Sequence, residues 1–304
     1  MSMGLCNWAP QPPSSSSLSR PTSSAQTTAF FDAMLGRQPS SAPAHLTSVL
    51  YIPLHDHNTT HLPMYEAGDS YRDAVGGSKM GSTLYSFKLS TMARPRGDGT
   101  SHRVAYHANM QRPAAVDDGV MISAQKRELG NQGAETRLTL PPSSNGAPQR
   151  ILIESPEGSI EMDTFFPIPP SARGSNKIHH PYFGLDVPLA RDIAPTRLEW
   201  QVHPVENGPL RYTLANKDAP ACIHAIYYDA GCSKILSHGS SEGVLLLPER
   251  SEGKEETAAM EGIVVASILG VLWQVRTLHG ATSVPPKRAK HIGQFHRVVS
   301  CFHT

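Results

Sequence analysis

The sequence predicts a mainly β protein: a closed antiparallel β-barrel built around one C-terminal apolar α-helix. Three observations carry that prediction. Short segments of alternating apolar and polar residues follow one another from about Leu46 to Leu247, separated by Gly, Pro, Asn and Ser. One long apolar run, within Glu255 to His279, comes after all of them. Strands first and a single helix last lack the β–α alternation of a doubly wound fold. A sheet closed on itself has no edges, and a barrel wide enough to admit a helix would bury one that is apolar all round.

The chain has 304 residues, with Lys+Arg 27 against Asp+Glu 26. That balance creates no global field for nucleic acid or membrane, so no nucleic-acid partner is expected. Residues 1–45 are rich in Pro and Ser and bury too little apolar surface to offset chain entropy; they read as a disordered arm. No apolar signal core marks the N-terminal segment, which points to a cytoplasmic protein. Without such a signal, the glycosylation-type triplet Asn58-Thr59-Thr60 reads as chance. Cys6, Cys222, Cys232 and Cys301 show no metal-ligand spacing. Cys222 and Cys232 are near enough to meet across a hairpin, but reduced thiols on two strands are the expectation.

The folded domain is expected over 46–280. Val49, Tyr51 and Leu54 begin a first strand, cut by Pro53. His55-Asp56-His57 with His61 is the densest His/Asp cluster, and His-x-His on one strand face can chelate a divalent ion. Ordinary histidines at strand ends account for it as well, so neither a metal nor a cofactor is expected. LYSFKLS reads as a strand with Tyr85, Phe87 and Leu89 on one face. RVAYHA, GVMISA, TRLTL and RILIES follow, the last with Ile151 and Ile153 inward, and Pro156-Glu157-Gly158 turns into SIEMDTFF. Leu198, Trp200 and Val202 share a face, as do Leu210, Tyr212 and Leu214 after the Asn207-Gly208 turn. Ala221 to Tyr228 is apolar nearly throughout, as a strand buried on both faces should be. Val244 to Leu247 is the last strand, making about ten.

The helix is expected over 255–279. Ser251 is placed to cap it; Glu255 and Glu256 suit the positive end of the dipole, Arg276 and His279 the negative end, and Gly280 is a stop signal. Ala258 to Val275 would be about 27 Å long, at the margin of what crosses a bilayer. Glu261 inside the run argues against hydrocarbon surroundings. Gly262, Ala266 and Gly270 form a small-residue row that lets a neighbouring backbone approach, either in a membrane dimer or against a barrel wall. In a barrel, Gly270 would face the wall at close range and Leu272 would be core.

LEWQVHP, LRYTL, CIHAIYYDAG, SEGVLLLPE and EGIVVASILGVLWQVR, in that order, resemble the fungal branch of the tubby C-terminal-like superfamily. That group also includes the phospholipid scramblases and the plant LURP-one-related proteins. The resemblance covers about 84–279 and is best from Leu198 onward. It implies a closed barrel around a central apolar helix, and a non-catalytic module that binds a membrane lipid headgroup or a protein partner. The basic residues with which tubby proteins bind phosphoinositides have no residue-by-residue match here. Lys177, His179, His180 and Arg191 read as scattered loop residues.

From Ala281 the sequence has no period, and 281–304 reads as a disordered basic tail. Lys287, Arg288 and Lys290 are its candidate contacts to anionic phospholipid. Cys301-Phe302-His303-Thr304 does not make a prenylation box, because His303 is not aliphatic. Catalytic signatures are missing: Gly76-Gly77-Ser78-Lys79 lacks the phosphate-loop spacing, and there is no Gly-x-Ser-x-Gly elbow. The expectation is therefore a non-enzyme, cytoplasmic, peripheral at membranes where it binds lipid, with no obligate insertion. Two other classes stay open: a single-pass membrane protein with span 258–275, and a metal-dependent enzyme using His55, His57 and His61.

Overall fold

A computed structural model describes residues 42–93, 103–111, 119–128, 131–141, 149–165, 182–187, 196–204, 210–219, 222–230, 240–249 and 255–283. Twelve strands follow in chain order: β1 (Ser48–Asp56), β2 (His61–Glu66), β3 (Val104–Gln111), β4 (Val120–Glu128), β5 (Asn131–Leu140), β6 (Gln149–Ser155), β7 (Gly158–Phe165), β8 (Tyr182–Val187), β9 (Thr196–Pro204), β10 (Leu210–Asn216), β11 (Ile223–Asp229) and β12 (Ser240–Leu247). Helices α1 (Gly68–Val75) and α2 (Thr83–Ala93) lie between β2 and β3, and α3 (Glu255–Ser283) comes last. Each strand pairs antiparallel with the next, and β12 returns to pair with β1, Ser48 opposite Leu247. The result is a closed up-and-down barrel.

Strand number sets what the barrel can hold. Eight strands leave room only for side chains, and the bore widens with each added strand. Twelve enclose a helix roughly 10 Å across, and α3 occupies that space. Ile263, Val264, Val265, Ala266, Ile268, Leu269, Val271 and Leu272 are all buried, although they point to every side of the helix. They form one core with the inward residues of the wall, among them Leu50, Ile52, Met64, Ile122, Leu138, Ile151, Ile153, Leu198 and Leu245. Each fully buried aliphatic side chain contributes about 1.5–3 kcal/mol. The row of small residues faces β5. A Cβ on Gly262 would stand 2.5 Å from Thr136 Oγ1, and one on Gly270 2.5 Å from Leu138 Cδ2, with Ala266 between them. Trp200 Nε1 donates to Ser267 Oγ at 2.9 Å, tying the middle of α3 to β9.

A second apolar layer lies outside. Tyr71, Val75, Met80, Tyr85 and Leu89, from α1, α2 and the segment between them, pack on Val49, Ile226, Tyr228, Val244 and Leu246 of β1, β11 and β12. This explains why β11 and β12 are apolar on both faces: Ala225, Tyr227 and Leu245 look into the barrel, while their neighbours look at the helices.

Several expectations need correction. LYSFKLS is helical, part of α2. Ser82 Oγ accepts from Tyr85 N at 3.2 Å and caps the helix, and the buried residues are Tyr85 and Leu89, four apart, while Phe87 is exposed. Seven residues of apolar–polar alternation contain an i, i+4 pair as well, and the cap decides between the two. Pro53 does not cut β1; the register shifts between Ile52 and His55, and the strand runs on through that irregularity. The shift also changes phase, so Leu50 and Ile52 point inward, Leu54 is exposed and His55 is buried. β2 and β8 were not expected; both are short and interrupted, by Pro63 and Gly184. Gly280 does not stop α3, which continues to Ser283, so Arg276 belongs to the body of the helix. The Pro156-Glu157-Gly158 hairpin forms, with Gly158 at φ 144°, a conformation that favours glycine.

Candidate functional site

The two ends of the barrel differ in chemistry. Where α3 enters, Glu261 projects toward β4, and its carboxylate lies 3.2 Å from Lys126 Nζ, both side chains largely buried. Gly262 beside it lets the helix approach Thr136. Where α3 leaves, Gln274 Nε2 donates to Gln149 Oε1 at 3.3 Å, and Trp273 and Arg276 reach the wall.

At this second end the β1–β2 turn is built on Asp56. Its carboxylate accepts from Asn58 N at 2.8 Å and from Thr59 Oγ1 at 3.0 Å. These bonds, with the Asn58 backbone N–H first, hold the Asp56 pKa below the usual carboxylate value. The turn residues His57 to His61, Asn109 to Gln111 of β3 and Trp273 of α3 line a groove of about 730 Å³. Amides, hydroxyls and imidazoles surround an indole here, a set suited to hydrogen-bonded recognition.

Behind Trp273 lies a buried polar cluster. The guanidinium of Arg276 sits 5.9 Å from the Trp273 ring centroid and donates from Nη1 to Ser241 Oγ at 3.0 Å. Its residue is 3% exposed, and burial lowers its pKa without removing its charge. Tyr212 and Tyr227, both buried, stand nearby; burial drives their hydroxyl pKa values well up, so both stay protonated. A further buried cation, Arg211, lies on the outer face under α2 near Tyr85 and Tyr228, and burial pulls its pKa down to about 10. Hydrogen bonds between Tyr71 and Tyr85 and between Ser86 and Tyr228, each 2.7 Å, complete that outer layer.

The structure does not gather the three histidines. His55 is inside, its Nδ1–H donating to the Pro53 carbonyl at 2.9 Å, and burial plus the charge of Arg276 lower its pKa to about 3. His57 stacks edge-on against Trp273, ring centroids 4.4 Å apart. His61 is exposed, its Nδ1 2.6 Å from Asn109 Oδ1. No group of three or more His, Cys, Asp or Glu able to hold a metal occurs among the described residues. Gly262, Ala266, Gly270 and Leu272 lie in the core as described above. Lys287, Arg288 and Lys290 lie outside the described residues, as do Cys6, Cys232 and Cys301. Cys222 Sγ lies 3.6 Å from His224 Nε2.

Sequence reasoning missed Arg276, Tyr227 and Ser241 as a group. In the sequence Arg276 has the place of a helix-end cation balancing the dipole. The one available signal was an arginine three residues after a tryptophan, still inside a helical apolar run. No protein-family model, curated protein or solved structure matches the chain. A closed twelve-stranded antiparallel barrel holding a C-terminal apolar helix is compatible with a tubby-like barrel.

Proposed function

We propose that the chain is a non-catalytic, tubby-like barrel module that binds the anionic headgroup of a membrane phospholipid at the mouth where α3 leaves the barrel. The position of the groove carries this reading. It opens beside Trp273 at the end of the barrel from which the chain continues toward Lys287, Arg288 and Lys290. Three cations soon after the end of α3 attract an anionic surface by about 1 kcal/mol each. The interior supports a binding role over a catalytic one, because a packed helix occupies the space where a barrel enzyme would hold substrate. The Ala259–Arg276 window is 89% buried by the barrel, which favours an enclosed helix over a membrane span.

Flotation of the full chain with phosphatidylserine-containing vesicles tests the proposal, with phosphatidylcholine vesicles as the control. The chain should float with the anionic vesicles at low salt and release as salt rises. Replacing Lys287, Arg288 and Lys290 together with Gln should weaken the association by about 3 kcal/mol in all. Unchanged flotation of that variant moves the contact onto the barrel. No flotation in low salt overturns the headgroup reading and leaves a protein partner.

A further inference from the structure

Arg276 carries two hydrogen-bond donors that nothing in the described protein accepts. Nη1 is used on Ser241, while Nε and Nη2 are buried and meet no partner. These two N–H groups share one edge of the guanidinium plane, the edge that holds a carboxylate or phosphate by two parallel bonds. A guanidinium cannot shed its proton to escape burial; Asp56 and Asp229 attract its charge, yet no described residue accepts from Nε or Nη2, and buried donors left unused are costly. Lys126, at the other end of the barrel, has its carboxylate partner within the chain.

A third donor lies on the same stretch of wall. Tyr227 is fully buried, and its hydroxyl has no partner among the described residues. That hydroxyl stands over Gly243, where any Cβ would come within 2.7 Å of it. Ser241 and Gly243 are alternate residues of β12, so they share its inward face. The glycine therefore keeps room for the tyrosine hydroxyl next to the residue that anchors Arg276. His55, opposite Ser241 in the β1–β12 ladder, is neutral and adds no competing charge.

We propose that this end of the barrel holds a phosphate-type oxyanion, gripped by the Nε–Nη2 edge of Arg276 and the Tyr227 hydroxyl, with the groove beside Trp273 as its entrance. Three donors suit an anion with three or more oxygens better than a carboxylate with two. The phosphate can be a free ion or the terminal group of a lipid, and the site does not depend on the basic residues after α3.

The test is thermal unfolding of the full chain in phosphate-free buffer. One arm titrates inorganic phosphate against sodium chloride at matched ionic strength. The other compares phosphatidic acid vesicles with phosphatidylcholine vesicles. A saturable rise in melting temperature is expected from at least one arm. Free phosphate alone acting identifies a soluble ligand, and phosphatidic acid alone acting identifies a headgroup. Arg276→Met should abolish the rise, and Tyr227→Phe should weaken the apparent affinity about tenfold. If Arg276→Met does not fold, Tyr227→Phe decides alone, since it keeps the ring and removes only the hydroxyl. Loss in Arg276→Met with no change in Tyr227→Phe keeps the anion and overturns the role of the tyrosine. No rise from either source, or an unchanged rise in both variants, overturns the site.

Discussion

At the end of the barrel where α3 enters, a buried cation and a buried anion belong to the same chain, Lys126 on the wall and Glu261 on the helix. At the end where it leaves, Arg276 is more deeply buried and its fork edge meets no acceptor among the described residues. Both sites face the same energetic problem, the removal of a charge from water. One is answered inside the fold and fixes how the helix meets β4. The other is offset only in part, by the fields of Asp56 and Asp229, and keeps two donors unused. Buried charge thus separates an end closed within the fold from the end proposed to hold an anion.

The comparison assumes that both ends share one core, and Leu272→Ala is the strongest challenge to that. It should leave a cavity in the middle of the bore and cost about 2–5 kcal/mol. Unfolding followed by tryptophan fluorescence and by β-sheet circular dichroism should still show one transition. Two separate transitions would break the common core into independent ends. Lys126→Met comes next: it removes the cation paired with the Glu261 carboxylate and should cost about 3 kcal/mol, the low end for a buried pair because neither partner is fully enclosed. Adding Glu261→Leu to it should restore most of that loss in urea unfolding. A double variant as weak as the single one would mean that the ion pair is not what organises the entry end.

Gly270→Leu should cost about 1–3 kcal/mol, because the new side chain meets Leu138 and Leu140 where only a hydrogen now fits. Its melting temperature without detergent reads the effect, and a wild-type value would mean that α3 stands off from β5. The remaining prediction concerns acid. His55 has a pKa lowered to about 3 from 6.5, chiefly by burial. Below pH 6.5 the unfolded chain therefore takes up a proton that the folded one refuses, and stability falls toward pH 3 by at most about 1.4 kcal/mol per pH unit. His55→Gln should flatten the slope of urea midpoints between pH 7 and pH 5. Equal slopes would assign the acid sensitivity to other groups, with His107 and His224, whose pKa values burial also lowers, next in line.

The wall and plug of the barrel were legible wherever burial imposes a period. Leu198 and Trp200 alternate because one face meets α3, and the continuous apolar run into Tyr228 exists because a second layer covers β11. Legibility failed where a short segment satisfies two periods, as LYSFKLS does, and where Pro63 or Gly184 interrupts a strand that its neighbours complete. The candidate site was less readable still. Asp56 and the groove depend on a turn, and the cluster of Arg276, Tyr227 and Ser241 comes from three elements whose proximity is a product of closure. No local pattern encodes a contact that exists only after β12 has found β1.

That closure also has a consequence for how the protein is made. Synthesis delivers β1 first and withholds its partner β12, and the core helix, until the end. While the ribosome adds residues, a growing meander carries inward-facing Leu, Ile and Tyr side chains with nothing to close on, and two open sheet edges. Such pairings between distant parts of the chain fold slowly, and their intermediates are the species that aggregate. A nascent chain stalled before Glu255 should therefore depend on chaperones far more than one released with α3 complete, since the last helix supplies the core on which the inward-facing wall packs.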